Sequence, residues 1–459
     1  SKEDYNFILL TFDALRADSL GIYGGTTKTP SFDNFGNENI VFLNAHSLAP
    51  WTVPSMVGLF SSQFPSKLSI GNSKDYYTIP ENVDTLAELL DKRGYRTGAF
   101  VGNYLLQKST GILQGFDFSI LVNHHTRTMN RFALIMPFLE SALSLCIQEP
   151  EYKYLMNTSK YLVENTINFI RKNRNKKFFL WVHFVDPHDP YAPPQEFRKK
   201  DVEEKWPVFA PMDPSLPYPQ LSQIRMGKVA LTDSDKEYIR ELYNGEVLYM
   251  DKLFGNILQT LKDEKLLDNT VICVTSDHGE EFWDHGDYYH GQSLYEELIK
   301  VPLIISIPRI RSPKKIYNPV STIDLMPTFF EIAGIPISKE FDGKSLMPFI
   351  KGEYNAAEPP IFAEETYYYE KKKAVIDGNY KLIFCMDSKK LELFDLSTDP
   401  YEKINIADKN PLLVKDMKKL LIDWIKKTKK KKKGYKETKE DLEKKRNQLN
   451  RMKALGYVN

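Results

Sequence analysis

Asp277 and His278 stand directly behind Val271-Ile-Cys-Val-Thr-Ser276. A short apolar, β-branched run of that kind reads as a buried strand. The acid and the imidazole then leave its carboxyl end as two metal-ligating side chains. In open α/β sheets ligands bind beyond the carboxyl ends of strands. A structural Asp–His pair capping a helix is the competing explanation. Asp13 repeats the arrangement after Asn6-Phe-Ile-Leu-Leu-Thr-Phe12, although an Asp there could also cap a helix. Thr52 lies two residues before Pro54 in Ala49-Pro-Trp-Thr-Val-Pro-Ser-Met56, where a helix is predicted to begin. Its hydroxyl would sit at a helix N-terminus, whose dipole and free N–H groups stabilise an oxyanion, a phosphate or a sulfate. Helix capping is again the plainer role.

The elements that must position these groups alternate along the chain. Strands are predicted at 6–12, 40–43, 97–101, 178–184 and 302–307, and helices at 54–61, 85–92, 152–172 and 233–262. Such alternation implies an α/β fold with a mostly parallel central sheet flanked by helices. From about Ala356 short strands at 372–376, 380–384 and 391–394 precede a helix at 411–427. They predict a smaller C-terminal α+β subdomain, so the expected division is 1–355 and 356–459. The Pro-rich stretch 195–219 reads as a surface excursion near the active site. Residues 131–147 read as a buried apolar helix, with a lipid- or partner-facing flap as the alternative.

Composition bounds the function classes. The chain has 459 residues, 42% hydrophobic and 27% charged, with a net charge of +1. These are the values of a globular protein, and they favour neither nucleic acid nor a membrane surface. Seven lysines in 426–433 read as a solvated run between two helices. Cys146, Cys273 and Cys385 are too few and too far apart for a disulfide framework or a cysteine metal knuckle. No run approaches the ~20 apolar residues of a spanning helix. The sequence shows no signal peptide, so the expected location is cytoplasmic, although a chain starting at Ser1 is compatible with a trimmed N-terminus.

Taken in order, the motifs resemble the sulfatase branch of the alkaline phosphatase superfamily. The matching segments are Phe12-Asp-Ala-Leu-Arg-Ala-Asp-Ser-Leu-Gly21, Trp51-Thr-Val-Pro-Ser55, Gly94-Tyr-Arg-Thr-Gly-Ala-Phe100, Asp186-Pro-His-Asp-Pro-Tyr191, Ser276-Asp-His-Gly-Glu280 and His290-Gly-Gln-Ser-Leu-Tyr-Glu-Glu297. Gly115-Phe-Asp117, Tyr380-Lys-Leu-Ile383 and Leu393-Phe-Asp-Leu-Ser-Thr-Asp-Pro400 extend the match. The resemblance implies that Asp13, Asp277 and His278 ligate a metal, with Thr52 completing the set as nucleophile. It implies that His188 contacts the transferred group or the leaving oxygen. His290 falls near a family lysine.

The departures matter more. Sulfatases carry Cys-x-Pro-Ser-Arg, whose cysteine becomes formylglycine. Here Thr52 and Met56 replace both the Cys and the Arg. A formylglycine hydrate can expel sulfate by collapsing to the aldehyde. A threonyl ester must instead be cleaved by in-line attack of water or another acceptor. Phosphorus is therefore the favoured transferred centre, with a true sulfatase, a phospho-group transferase and an inactive binding protein as alternatives. Ala14 stands where many sulfatases have a second Asp in an all-oxygen calcium site. Asp, Asp, His and a Thr alkoxide suit Mn²⁺ or Zn²⁺ better than Ca²⁺ or Mg²⁺. Asn103 replaces a further family lysine. With these cations lost, a monoanionic phosphodiester, phosphonate monoester or sulfate fits better than a dianion. A second metal could use Asp186, His188 and His290. The expected substrate is an anionic ester, small or linked to a glycan or lipid, with Tyr367, Tyr368 and Tyr369 among the residues that could shape its pocket.

The other candidates carry less chemistry. His183 is expected to be a satisfied core residue, and His285 either lines the pocket or is structural. His124 and His125 read as loop residues. Arg16 touches substrate or pairs with Asp18. Glu280 and Glu281 are expected to start a helix.

Overall fold

The structure is a computed structural model that describes residues 5–68, 77–103, 105–122, 158–189, 191–198, 224, 230–310, 313–353 and 358–430. The predicted apolar segment 131–147, His124 and His125, most of the Pro-rich excursion and Lys431–Lys433 lie outside the described residues.

Asn6–Phe12, Phe178–Phe184 and Thr270–Ser276 are buried along their whole lengths. Their nearly unbroken apolar character reflects burial on both faces of a parallel sheet. They form the middle of an eight-stranded sheet in the order Lys314–Ile316, Ile40–Phe42, Leu303–Ser306, Thr270–Ser276, Asn6–Phe12, Phe178–Phe184, Arg96–Val101, Phe118–Leu121. Leu303–Ser306 is antiparallel to both neighbours, and every other pairing is parallel. In this register Phe12 lies level with both Ser276 and Phe184. Asp13 and Asp277 therefore leave adjacent strands at the same height, which brings their carboxylates together.

Strand alternation divides the core in two. Phe7, Leu9, Trp181 and Cys273 pack against Val53, Met56, Val57 and Phe60 of the helix Thr52–Ser61. Ile8, Leu10, Val182 and Val274 pack on the opposite side against Leu162 and Ile170 of Thr158–Lys172, and against Met250 and Ile257 of Asp233–Asp263. Thr232 with Asp235 and Thr85 with Glu88 form capping boxes at the helices Asp233–Asp263 and Leu86–Asp91. Each supplies backbone N–H groups with partners at a helix end, an effect of about 1 kcal/mol.

The C-terminal part is an antiparallel sheet of Ile361–Ala363, Lys372–Asp377, Tyr380–Cys385 and Leu391–Asp395. The helix Pro411–Lys430 covers it through Met417, Leu421 and Trp424. Lys426–Lys430 continue that helix, with Thr428 buried on its inner face. A charge cluster joins the sheet to the main body. Lys381 Nζ lies 2.9 Å from Glu296 and 2.8 Å from Glu402, while His46 Nε2 lies 3.1 Å from Glu296. Lys381→Met removes the cation between two buried carboxylates. It is expected to lower unfolding free energy by about 3–5 kcal/mol in urea titration. A loss within experimental error would show that the two acids are neutralised without Lys381.

Candidate active site

Asp13, Asp277 and His278 are fully buried, and each offers a ligand atom within 4.8 Å of the others. His278 Nε2 lies 3.3 Å from Asp13 Oδ1 and 3.6 Å from Asp277 Oδ2. His278 Nδ1 donates to the Gly279 carbonyl at 2.8 Å. In the neutral ring this leaves the lone pair on Nε2, the state a metal ligand requires. Asp277 Oδ1 accepts from the backbone N–H groups of Ala14 and His278 at 3.2 and 2.8 Å. Its Oδ2 is buried without a hydrogen-bond partner among the described residues. A buried orphan carboxylate oxygen facing a second carboxylate and an imidazole fits a divalent cation. Ala14 has φ 59°, an uncommon left-handed conformation for a residue with a Cβ. The turn it makes delivers its N–H to Asp277, and its carbonyl accepts the Tyr243 hydroxyl at 2.8 Å.

Thr52 is the first residue of its helix, and Trp51 is the N-cap, without a side-chain capping bond. The capping role is therefore set aside. Thr52 Oγ1 lies 3.3 Å from His278 Nε2 and 3.5 Å from Asp13 Oδ1. Ser55 Oγ donates to the Asp277 carbonyl at 2.6 Å, tying the helix to the strand end. Asn103 Nδ2 donates to Asp13 Oδ2 at 2.6 Å and reaches Thr52 Oγ1 at 3.5 Å. Met56 is buried in the apolar core.

Burial raises the Asp13 carboxyl, but His188, His183 and His278 outweigh it and hold the group well below the usual carboxylate range. Burial and Asp13 push Asp277 up. Burial opposes charge on His278, yet Asp277 and Asp13 raise its imidazole to about 9. The raised Asp277 and His278 values express an excess of negative charge in the cluster, whereas Asp13 takes the stabilisation the surrounding histidines offer.

His188 and His290 meet beside the cluster, with ring centroids 4.9 Å apart, and His290 lies 4.3 Å from His278. His188 Nδ1 lies 2.7 Å from the Asp189 carbonyl and 2.9 Å from its carboxylate. Burial opposes its protonation, but Asp13 and Asp189 push it well above the ordinary histidine value. His290 Nδ1 lies 3.0 Å from Glu280 Oε1, and Tyr191 donates to Glu280 Oε2 at 2.9 Å. Burial pushes Glu280 up to about 8.

Several expectations change. Glu280 and Glu281 do not begin a helix: Glu281–Phe282 pairs with Tyr288–Tyr289 in a hairpin that returns the chain to His290. His183 is buried but is not a satisfied core residue. Its Nδ1 lies 2.8 Å from Thr11 Oγ1, and its Nε2, without a hydrogen-bond partner among the described residues, lies 3.5 Å from Asp13 Oδ2. Arg16 is structural, bound to Asp18 and Asp284 at 2.7 and 2.8 Å. His285 lies 2.5 Å from Glu297, bonds to the Glu402 carbonyl and stacks on Tyr295, so it packs the sheet domain rather than the pocket. Asp186, His188 and His290 form no second metal cluster among the described residues. Gln195–Phe197 lies on the helix Asp233–Asp263, with Glu196 2.9 Å from Lys252.

The parallel strands thus deliver two carboxylates and an imidazole to one point, beside a hydroxyl at a helix N-terminus. The chain belongs to the Sulfatase family, whose profile matches residues 5–335. The profile "N-sulphoglucosamine sulphohydrolase, C-terminal" matches residues 283–431. Arylsulfatase K of Canis lupus familiaris is 25% identical over 447 residues, covering 88% of this chain and 79% of that protein. Delta 4,5-hexuronate-2-O-sulfatase of Bacteroides thetaiotaomicron is 26% identical over 452 residues, covering 94% and 90%. A solved putative sulfatase from Bacteroides thetaiotaomicron superposes with TM-score 0.74 at 21% identity, covering 95% of each chain. The phosphonate monoester hydrolase of Agrobacterium radiobacter does so with TM-score 0.72 at 19% identity, covering 92% of this chain and 96% of that one. These superpositions establish the fold. Among the described residues no helix is long and apolar enough to cross a membrane.

Proposed function

We propose that the chain is a metal-dependent hydrolase in which Thr52 attacks a phosphodiester, phosphonate monoester or sulfate ester, with phosphorus the favoured centre. The observation that carries this reading is the position of Thr52 Oγ1, within 3.5 Å of both Asp13 and His278. Asp13, Asp277, His278 and the Thr52 oxygen form a mixed oxygen–nitrogen donor set, which suits Mn²⁺ or Zn²⁺. Bound there, the cation would lower the pKa of the Thr52 hydroxyl and neutralise charge on the transferred group.

The chain's own groups supply the rest. The N–H groups of Thr52 and Val53, at the start of Thr52–Ser61, are available to the anion, since Pro54 has none and that of Ser55 bonds to the Trp51 carbonyl. Thr52 Oγ releases its proton to solvent and forms a bond to the phosphorus or sulfur as the bond from that centre to the ester oxygen breaks. His188 or His290 delivers the proton that oxygen requires, each held by a carboxylate residue, Asp189 or Glu280. Water then attacks the threonyl ester in line, loses a proton and breaks the bond to Oγ, which takes up a proton and restores Thr52. An acceptor other than water would make the same site a transferase. With Asn103 and buried Met56 in place of cations, imidazoles supply the positive charge, which matches a monoanion better than a dianion.

Parallel assays on aryl phosphodiester, phosphonate monoester, phosphomonoester and sulfate substrates test the choice. Phosphodiester or phosphonate turnover is expected to lead, with the phosphomonoester slowest. Sulfate turnover above phosphodiester turnover would replace this reading with that of a threonine-dependent sulfatase, the reading that the relatives' names support.

A further inference from the structure

The two oxygens of Asp13 meet different neighbours. Oδ1 lies 3.3 Å from His278 Nε2 and 3.5 Å from Thr52 Oγ1, on the side where a cation would be held. Oδ2 meets Asn103 Nδ2 at 2.6 Å and His183 Nε2 at 3.5 Å. Asn103 is fixed for this task, because its Oδ1 accepts the Leu105 N–H at 3.0 Å and leaves the amide nitrogen for Asp13. The His183 ring is fixed by a longer chain of contacts. Parallel pairing sets Leu9 level with Trp181 and Thr11 level with His183, so these side chains and Asp13 follow one another along one face of the sheet. Trp181 is fully buried, its ring 4.5 Å from that of Phe60 in the helix that carries Thr52. Its Nε1 can only donate, and it donates to Thr11 Oγ1 at 3.0 Å.

That donation decides where the Thr11 hydrogen goes. With one lone pair of Oγ1 taken, its own O–H is directed to His183 Nδ1 at 2.8 Å rather than to the Val182 carbonyl at 3.4 Å. Nδ1 then accepts, and the ring hydrogen lies on Nε2. The opposite tautomer would aim the Nε2 lone pair at a carboxylate, which has only lone pairs to offer. His183 is completely buried, and Nε2 has no hydrogen-bond partner among the described residues. The acceptor it faces is Asp13 Oδ2. At 3.5 Å the contact is long, so its worth lies in orientation. An N–H dipole away from water draws Oδ2 toward itself and leaves Oδ1 facing Thr52 and His278.

We propose that His183, set by Trp181 through Thr11, is a positioning residue that holds Asp13 in the orientation a divalent cation requires. The proposal rests on the metal-site reading above. Its test is Mn²⁺ titration of the metal-free protein, read as a Kd by calorimetry and independent of turnover. His183→Leu removes the donor and is expected to weaken Mn²⁺ binding about tenfold or more, the scale for groups that orient metal ligands. His183→Gln, whose amide nitrogen can take the place of Nε2, is expected to stay within about threefold of wild type. Thr11→Val frees the ring to take the other tautomer. It is expected to weaken binding severalfold on its own and to add nothing to His183→Leu, because the two act through one path. Each variant is compared once its melting curve shows a cooperative fold, and Thr11→Val carries the test should His183→Leu not fold. A wild-type Kd in His183→Leu or in Thr11→Val overturns the proposal and leaves the Thr52 reading standing. So do equal losses in His183→Leu and His183→Gln, which would mark a packing role, and additive losses in the double variant. A wild-type protein that binds no Mn²⁺ overturns this proposal and the metal-site reading together.

Discussion

Thr52→Ala is expected to lower kcat/KM by roughly 10⁴-fold or more, the scale seen when a covalent nucleophile is removed. Thr52→Ser, which keeps the oxygen, is expected to stay within about tenfold of wild type. The reason is positional. Thr52 is the first residue of its helix, 3.3 Å from His278 Nε2, with no side-chain capping duty to lose. Removing its hydroxyl therefore takes away chemistry and little stability. The Ala variant should melt close to wild type, because Val53, Met56 and Val57 still anchor the helix in the core. Rapid acid quenching of wild type during turnover, followed by mass spectrometry, should show the threonyl ester on the peptide containing Thr52. Activity of Thr52→Ala equal to wild type would remove Thr52 from the mechanism.

The residues of the site differ in how far the sequence reveals them. Asp13, Asp277 and His278 follow nearly unbroken apolar runs, and in open α/β sheets ligands bind beyond the carboxyl ends of such strands. Their convergence needed the register of adjacent strands, which places Phe12 level with Ser276. His183 reads as core because alternation along Phe178–Phe184 shows which face a residue takes, but not its height. Register sets it opposite Thr11, two residues before Asp13 and on the same face. Glu280 is harder still. An acid after Gly279 reads as the start of a helix, and only the hairpin closing through Tyr288–Tyr289 buries it against His290. The docking of the C-terminal sheet, likewise invisible to local pattern, turns His285 away from the pocket toward Glu297 and Glu402.

Stripping divalent cations with a chelator should lower activity by on the order of 10³-fold or more, as expected when several kcal/mol of transition-state charge stabilisation are lost. Asp277→Asn should do the same and resist rescue by added Mn²⁺. Stability should respond in the opposite sense. In the metal-free protein two buried carboxylates face each other, and Asp277 Oδ2 has no hydrogen-bond partner among the described residues. An amide nitrogen in its place would donate toward Asp13 and relieve the repulsion, so metal-free Asp277→Asn is expected to melt above metal-free wild type. Cation at a thousand times its Kd would raise wild-type stability by about 4 kcal/mol and leave the variant unmoved. The pH dependence has a definite sign. Asp277 is held above the ordinary carboxylate value by burial and by Asp13. The metal-free folded state therefore binds more protons than the unfolded chain between the ordinary and the raised value. Its stability falls as pH rises through that window. Asp13 acts in the opposite direction, but its window lies below the ordinary value because its pKa is lowered. Melting curves from pH 4 upward should thus fall more steeply in metal-free wild type than in Asp277→Asn, both retaining the decline that the raised Glu280 carboxyl and His188 imidazole impose. Identical slopes, together with a cation response retained in the variant, would place the metal elsewhere than Asp277.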